Sequence, residues 1–221
     1  MVEIYSGTIY NNPRDRLPGL SHMVQHMLQQ IKSRYHAGLW ESNLLRGLLW
    51  RAKSIGPANR FEEYIAPSWS WASFHGPVSY TLGNEDAFTP NGSIHPEILD
   101  LQVVSTSTDP TGAVTSGMLR LLALSKKISK TKMLDGCNFY FDDAEYEEEW
   151  QAGSEFVHVF MYEWVVNWVD NGMKSAGLIL QSVNGDDEKY RRVGLVTGPD
   201  DLQESGGTDR FDWETREFVI I

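Results

Sequence analysis

The spacing of hydrophobic residues changes once along this chain. Over the amino-terminal third, Leu20, Met23, Val24, Met27, Leu28 and Ile31 recur every three or four residues after Pro18 and Gly19. This is the stripe of a helix that lays one side on a core. Ser42 precedes Leu44, Leu45, Leu48 and Leu49, which predicts a second, shorter helix over Ser42 to Leu49 with Ser42 as its cap. With Leu39, Trp40 and Trp50, these leucines make the densest apolar cluster of this third.

From Tyr64 onward the period is two. In Ser68-Trp69-Ser70-Trp71 indoles alternate with hydroxyls, so a strand here would put both rings on one face and both serines on the other. Leu99, Leu101 and Val103 alternate likewise, as do Leu119, Leu121 and Ala123 after the turn-forming Asp109-Pro110-Thr111-Gly112. Phe139 to Phe141, Phe156 to Trp164, and a hairpin of Leu178 to Val183 with Tyr190 to Val196 around Asn184-Gly185-Asp186 add further strands. Phe218 to Ile221 would close the sheet. The expected fold is mainly β (α+β): an antiparallel β-barrel or sandwich preceded by two amino-terminal helices. One domain over 1–221 is expected, with a helical part, 1–63, packed on a β-rich part, 64–221. Trp40, Leu48, Trp50, Trp69 or Trp71, Leu101, Leu121 and Leu180 should be its buried residues.

Charge narrows the partners. Thirty Asp and Glu against 19 Lys and Arg give a net charge of −11, which repels a phosphate backbone and excludes nucleic acid as the expected partner. The one dense basic stretch, Lys126, Lys127, Lys130 and Lys132, is expected as a solvated loop. So are the acidic run Asp142, Asp143, Glu145, Glu147, Glu148 and Glu149 and the stretch from Gly198 to Asp209. A single cysteine, Cys137, rules out an internal disulfide and suits a buried structural thiol in a reducing, cytoplasmic setting. No run approaches the ~20 apolar residues of a membrane span.

Motifs for chemistry are sparse. His22 and His26 have the four-residue helical spacing of zinc ligands but lack an adjacent Glu and a third ligand, and the acidic run lacks a calcium loop's spacing and central glycine. No Gly-x-Ser-x-Gly, Walker or dinucleotide string occurs, so no metal or cofactor is expected. His158 alternates with Phe156, Phe160, Tyr162 and Trp164, which sets an imidazole among rings. If that face lines a cavity, His158 is the candidate for proton transfer, and Trp69, Trp71, Tyr162 and Trp164 are candidates for stacking on a flat ligand. The alternative is that these residues are core.

Three strings carry a family resemblance. They are Asn12-Pro13-Arg14-Asp15-Arg16-Leu17-Pro18-Gly19-Leu20; Ala37-Gly38-Leu39-Trp40-Glu41 running to Gly47-Leu48-Leu49-Trp50-Arg51; and Ala66-Pro67-Ser68-Trp69-Ser70-Trp71-Ala72-Ser73 with Gly76-Pro77-Val78. Together they resemble the region downstream of the HET domain in fungal heterokaryon-incompatibility-type proteins. Gly177-Leu178-Ile179-Leu180 and Tyr190-Arg191-Arg192-Val193-Gly194 resemble the ends of the same proteins. The HET domain itself has no counterpart here, and the resemblance supplies no catalytic residues. It implies a non-enzymatic regulatory module that binds a small molecule or a protein partner. The alternative is a stand-alone enzyme of fungal specialised metabolism, a cyclase, isomerase or cycloaddition catalyst. Such an enzyme would act by holding a reactive substrate in an aromatic-lined pocket. A basic protein meeting the acidic surface is a third, minor possibility.

Overall fold

A computed structural model describes residues 1–56, 59–80, 96–132, 136–167, 172–185, 188–199 and 213–221. In chain order its elements are α1 (Val2–Tyr5), α2 (Ser21–Leu28), β1 (Tyr35–His36), β2 (Leu39–Trp40), α3 (Leu44–Gly47), β3 (Trp50–Ala52), β4 (Val78–Tyr80), β5 (Glu97–Ser105) and β6 (Val114–Ile128). There follow β7 (Asn138–Phe141), α4 (Ala144–Gln151), β8 (Phe156–Asn167), β9 (Gly172–Ser182), β10 (Tyr190–Pro199) and β11 (Glu214–Ile220). The protein is mainly β, and the period-two segments after residue 96 pair into a seven-stranded sheet of order β5-β6-β8-β9-β10-β11, with β7 on β10.

This sheet is not a closed barrel. Its last strand, β11, lies antiparallel along β6, yet it meets β10 only at the parallel pair Tyr190 and Ile220. The reason is that β7 occupies the edge of β10 from Gly194 to Thr197, where a barrel would need β11. The hairpin of β9 and β10 forms as expected, turned by Asn184 and Gly185, both at positive φ.

Both faces of the sheet are covered along β8, β9 and β10, while the edge strand β5 keeps Ile98, Leu99 and Val104 exposed. Along β8, Val157, Val159 and Met161 join Leu178 and Leu180 of β9 and Leu119 and Leu121 of β6 in a large cluster. That cluster also contains Leu17, Val24, Leu48, Trp50, Trp69 and Trp71 from the amino-terminal layer. The alternate residue Phe156 joins Ile179, Val193, Tyr146 and Trp150 in a smaller cluster under α4. A strand buried on both sides loses its polar alternation, which is why β8 is almost continuously apolar.

Four sequence-based expectations are corrected. Ser68 to Trp71 is not a strand: Ser70 accepts from Ala72 N–H at 3.0 Å and starts a 3-10 turn over Trp71–Ser73. The serines there are buried with the indoles, because each hydroxyl replaces a ladder bond with a local or long-range one. The acidic run is not a loop, since Asp143 caps α4 and Tyr146 and Trp150, four apart, bury one side of it. Lys126 and Lys127 lie within β6, and Lys130–Lys132 form a 3-10 turn. The two amino-terminal helices are short: α2 buries only Val24, and α3 follows a 3-10 turn, Glu41–Asn43, in which Ser42 caps nothing. Leu48, Trp50, Trp69, Trp71, Leu121 and Leu180 are wholly buried, while Trp40 and Leu101 are only half-buried. Most of the stretch from Gly198 to Asp209 lies outside the described residues.

The β1–β2 hairpin turns through Ala37 (φ 45°) and Gly38 (φ 98°), and its tip is held by the core. Ser70 Oγ donates to the Ala37 carbonyl at 2.6 Å, and Trp71 Nε1 donates to that of Gly38 at 3.0 Å. A Cβ at Gly38 would stand 2.6 Å from Trp71 Nε1. Gly38→Ala should therefore cost more than about 2 kcal/mol in urea unfolding. Ala37→Gly, which relieves a left-handed alanine, should be neutral or stabilising by up to about 1 kcal/mol.

A second tie joins α2 to the turn between β5 and β6. Ser21 Oγ donates to Asp109 Oδ2 at 2.7 Å, and Thr111 donates to Oδ1 through its hydroxyl at 2.6 Å and its N–H at 2.9 Å. The Thr111 hydroxyl, then that of Ser21, then the Thr111 N–H pull the Asp109 carboxyl from 3.8 down to about 2. A depressed folded value stabilises above the unfolded one, so this contribution should be present at neutral pH and be lost as pH falls from about 4 through about 2. Asp109→Asn should lower the urea midpoint at pH 7 and lower it much less as pH approaches 2.

Candidate functional site

Segments far apart along the chain converge on one buried network. Arg192, the third residue of β10, has no solvent exposure and stacks its guanidinium 3.4 Å from the centroid of the Trp50 ring. Its Nη1 donates to Asp142 Oδ2 at 2.6 Å and its Nη2 to the Trp50 carbonyl at 2.5 Å. Its backbone N–H donates to Ser68 Oγ at 2.9 Å, and Ser68 Oγ in turn donates to the Ile221 carbonyl. Arg60 completes the group, donating from Nη2 to the Arg192 carbonyl at 2.6 Å and standing 3.5 Å from Asp142.

Desolvation dominates the electrostatics of this group. Burial raises the Asp142 carboxyl above its ordinary value, against the opposing pull of Arg192 and Arg60. Burial also lowers the Arg192 guanidinium to about 10, which leaves it charged at neutral pH. Arg192 Nε and Asp142 Oδ1 have no hydrogen-bond partner among the described residues. The pair is a structural joint: it lies beneath the sheet face, and neither member lines a cavity described below.

Among the described residues, two clefts stand out on the surface. One, of about 480 Å³, runs between Arg60–Ala66 and the start of α4 and is lined by Arg60, Tyr64, Ser68, Asp143, Tyr146 and Arg191 among others. The other, of about 620 Å³, lies in the amino-terminal layer between α1, the β1–β2 hairpin, α3 and the end of β4. Its wall includes Tyr35, Trp40 and Tyr80, the apolar Val2, Met27 and Leu39, and the polar Glu3, Asn43 and Arg46. Both volumes fall in the roughly 300–1,000 Å³ range of small-molecule sites.

Neither cleft contains the candidates named from sequence. His158, 2% exposed, packs at 5.1 Å against the edge of the Trp213 ring and faces Gly177, where a Cβ would collide with its Nε2. Trp69 and Trp71 are core residues with no exposure. Tyr162 is half-buried and packs against the large cluster, and the Trp164 side chain lies outside the described residues. His22 and His26 are exposed on α2, and Cys137 is half-buried before β7. No group of three His, Cys, Asp or Glu among the described residues is placed to hold a metal ion. No helix among them is long and apolar enough to cross a membrane.

Sequence reasoning missed the Arg192–Asp142 pair and the cleft around Trp40. A signal for the pair existed: Arg192 interrupts an apolar strand, and Asp142 directly follows one. The cleft had no such signal, because Tyr35, Trp40 and Tyr80 are brought together by turns. Compared with known protein families, curated proteins and solved structures, the chain matches none.

Removing one member of the buried pair leaves the other uncompensated. Asp142→Ala or Arg192→Leu alone should cost about 3–5 kcal/mol in urea unfolding, whereas the double variant Asp142→Leu with Arg192→Met should recover a large part of that loss.

Proposed function

We propose that this chain is a binding or regulatory module of the kind that the resemblance to the region downstream of fungal HET domains implies, with its ligand or partner held at the surface. The observation that carries this is how the aromatic residues are used. Trp50, Trp69 and Trp71 are fully buried, and the indole N–H groups of Trp50 and Trp71 are committed to backbone carbonyls at 3.0 Å. A positioning catalyst must keep its large rings free to hold the substrate, and these three indoles are spent on the core. Among the described tryptophans, Trp40 alone lines either cleft.

The same use of residues weighs against His158 as a proton-transfer group, since a general acid or base must reach the substrate to within a hydrogen bond or one bridging water. His158 packs between strands away from both clefts. The enzymatic alternative, a cyclase, isomerase or cycloaddition catalyst, retains the 620 Å³ cleft as the described space with an indole at its wall.

The test is kinetic. Reactive polyene and diene substrates incubated with the purified protein should give products at the uncatalysed rate and with uncatalysed stereochemistry, in wild type and in His158→Ala alike. Product formed faster with wild type, and slowed by His158→Ala or Trp40→Ala, would overturn the proposal in favour of the enzyme.

A further inference from the structure

We infer that the cleft between α1, the β1–β2 hairpin and β4 is a binding site for a flat, uncharged aromatic small molecule; this names the ligand class of the module proposed above and rests on that proposal. Three rings from three separate elements meet at its wall: Tyr35 of β1, Trp40 of β2 and Tyr80 of β4. Tyr35 meets Trp40 edge-on, with centroids 5.0 Å apart and planes at 65°. Trp40 stays half-buried in a molecule that encloses three other indoles completely. An indole left partly open on a concave wall offers a π-face to a planar guest, and stacking rewards a ring over an aliphatic chain of equal area.

The wall is built before any ligand arrives. Trp40 follows a hairpin tip that Ser70 and Trp71 pin to the core, and the next residue, Glu41, donates its N–H to the Arg34 carbonyl at 2.9 Å. On the opposite side, the Tyr80 N–H donates to Glu3 Oε1 at 2.7 Å and ties α1 to β4. A rigid wall removes part of the ordering cost of binding. Burial raises the phenols of Tyr35 and Tyr80 above their ordinary value, so both rings remain neutral at physiological pH.

Charge and size set the rest of the ligand's character. Glu3 and Arg46 bring one negative and one positive side chain to the wall, so its side-chain charges cancel and leave no carboxylate or guanidinium in excess for an ionic guest, and an uncharged molecule avoids desolvating an ion. A volume of about 620 Å³ holds a single small molecule.

The test uses three probes: Nile red as a neutral fused-ring dye, 1-anilinonaphthalene-8-sulfonate as an anionic aromatic, and 1-decanol as a ringless apolar competitor. Nile red should bind wild type saturably at one site, more tightly than the sulfonate, and decanol should displace it poorly. Trp40→Ala should weaken the dye about tenfold, and Trp40→Phe should keep most of the affinity. Asn43→Trp, at an exposed position on the cleft wall, should block the site without removing a core contact, which keeps the test decisive if Trp40→Ala does not fold. Absence of saturable dye binding, or binding indifferent to Asn43→Trp, would overturn the site. Equal binding of the sulfonate or efficient displacement by decanol would overturn the ligand class. Each of these outcomes is read without turnover, so it is separate from the kinetic test of the module itself.

Discussion

A guanidinium cut off from water must find its hydrogen bonds in the protein, and the burial of Arg192 makes the two layers of this molecule depend on each other. Its side chain takes a carboxylate from the residue after β7 and a carbonyl and ring face from Trp50 of the amino-terminal layer. Its backbone N–H takes the hydroxyl of Ser68. No single element can satisfy it. The carboxylate comes with the sheet, but Nη2 and the guanidinium face are satisfied only when the amino-terminal layer docks Trp50 on them, so the buried arginine adds specificity of assembly whether or not it adds net stability.

The same logic extends outward through the Ser68–Ser73 turn. Ser68 links β10 to the Ile221 carbonyl, Ser70 and Trp71 hold the β1–β2 tip, and the Trp69 carbonyl accepts the Trp50 indole N–H. Arg16, buried in turn, lies 5.2 Å from the Trp71 ring centroid and donates to the carbonyls of Ser6 and Gly76. The segments around Ala37–Gly38, Trp50 and Ser68–Ser73 are therefore those that fasten this scaffold together. Their residue types follow from geometry: a hydroxyl small enough to be buried with a backbone partner, an indole large enough to fill a layer, and a glycine where no Cβ fits.

What could be read from the sequence divides along physical lines. The β-rich part was legible because strand patterns are local: hydrophobic residues alternate in β5, β6 and β11, and β8 reads as a short, nearly continuous apolar run. The Ser68–Trp71 segment carries the same alternation and is a turn, because buried hydroxyls satisfied by distant carbonyls look like solvent-facing hydroxyls in one dimension. The acidic helix α4 was hidden by its charge, with only the Tyr146 and Trp150 spacing to betray an inner face. Closure of the sheet depended on which strand takes the free edge of β10, a competition between β7 and β11 that no local pattern encodes.

The placement of candidate residues follows from the same division. An aromatic residue in an alternating run is apolar enough for the core, and Trp69, Trp71 and His158 went there; once enclosed by packed neighbours, such a side chain has no access to a guest. Residues available for binding are those whose neighbours come from irregular structure, where turns leave concave gaps that strands would fill. Trp40 has this situation: it ends a two-residue strand, faces α1 rather than a sheet, and keeps part of its ring open. Open aromatic surface around Trp40 thus falls in the least periodic part of the chain, where turns rather than strand pairing set the shape of the wall.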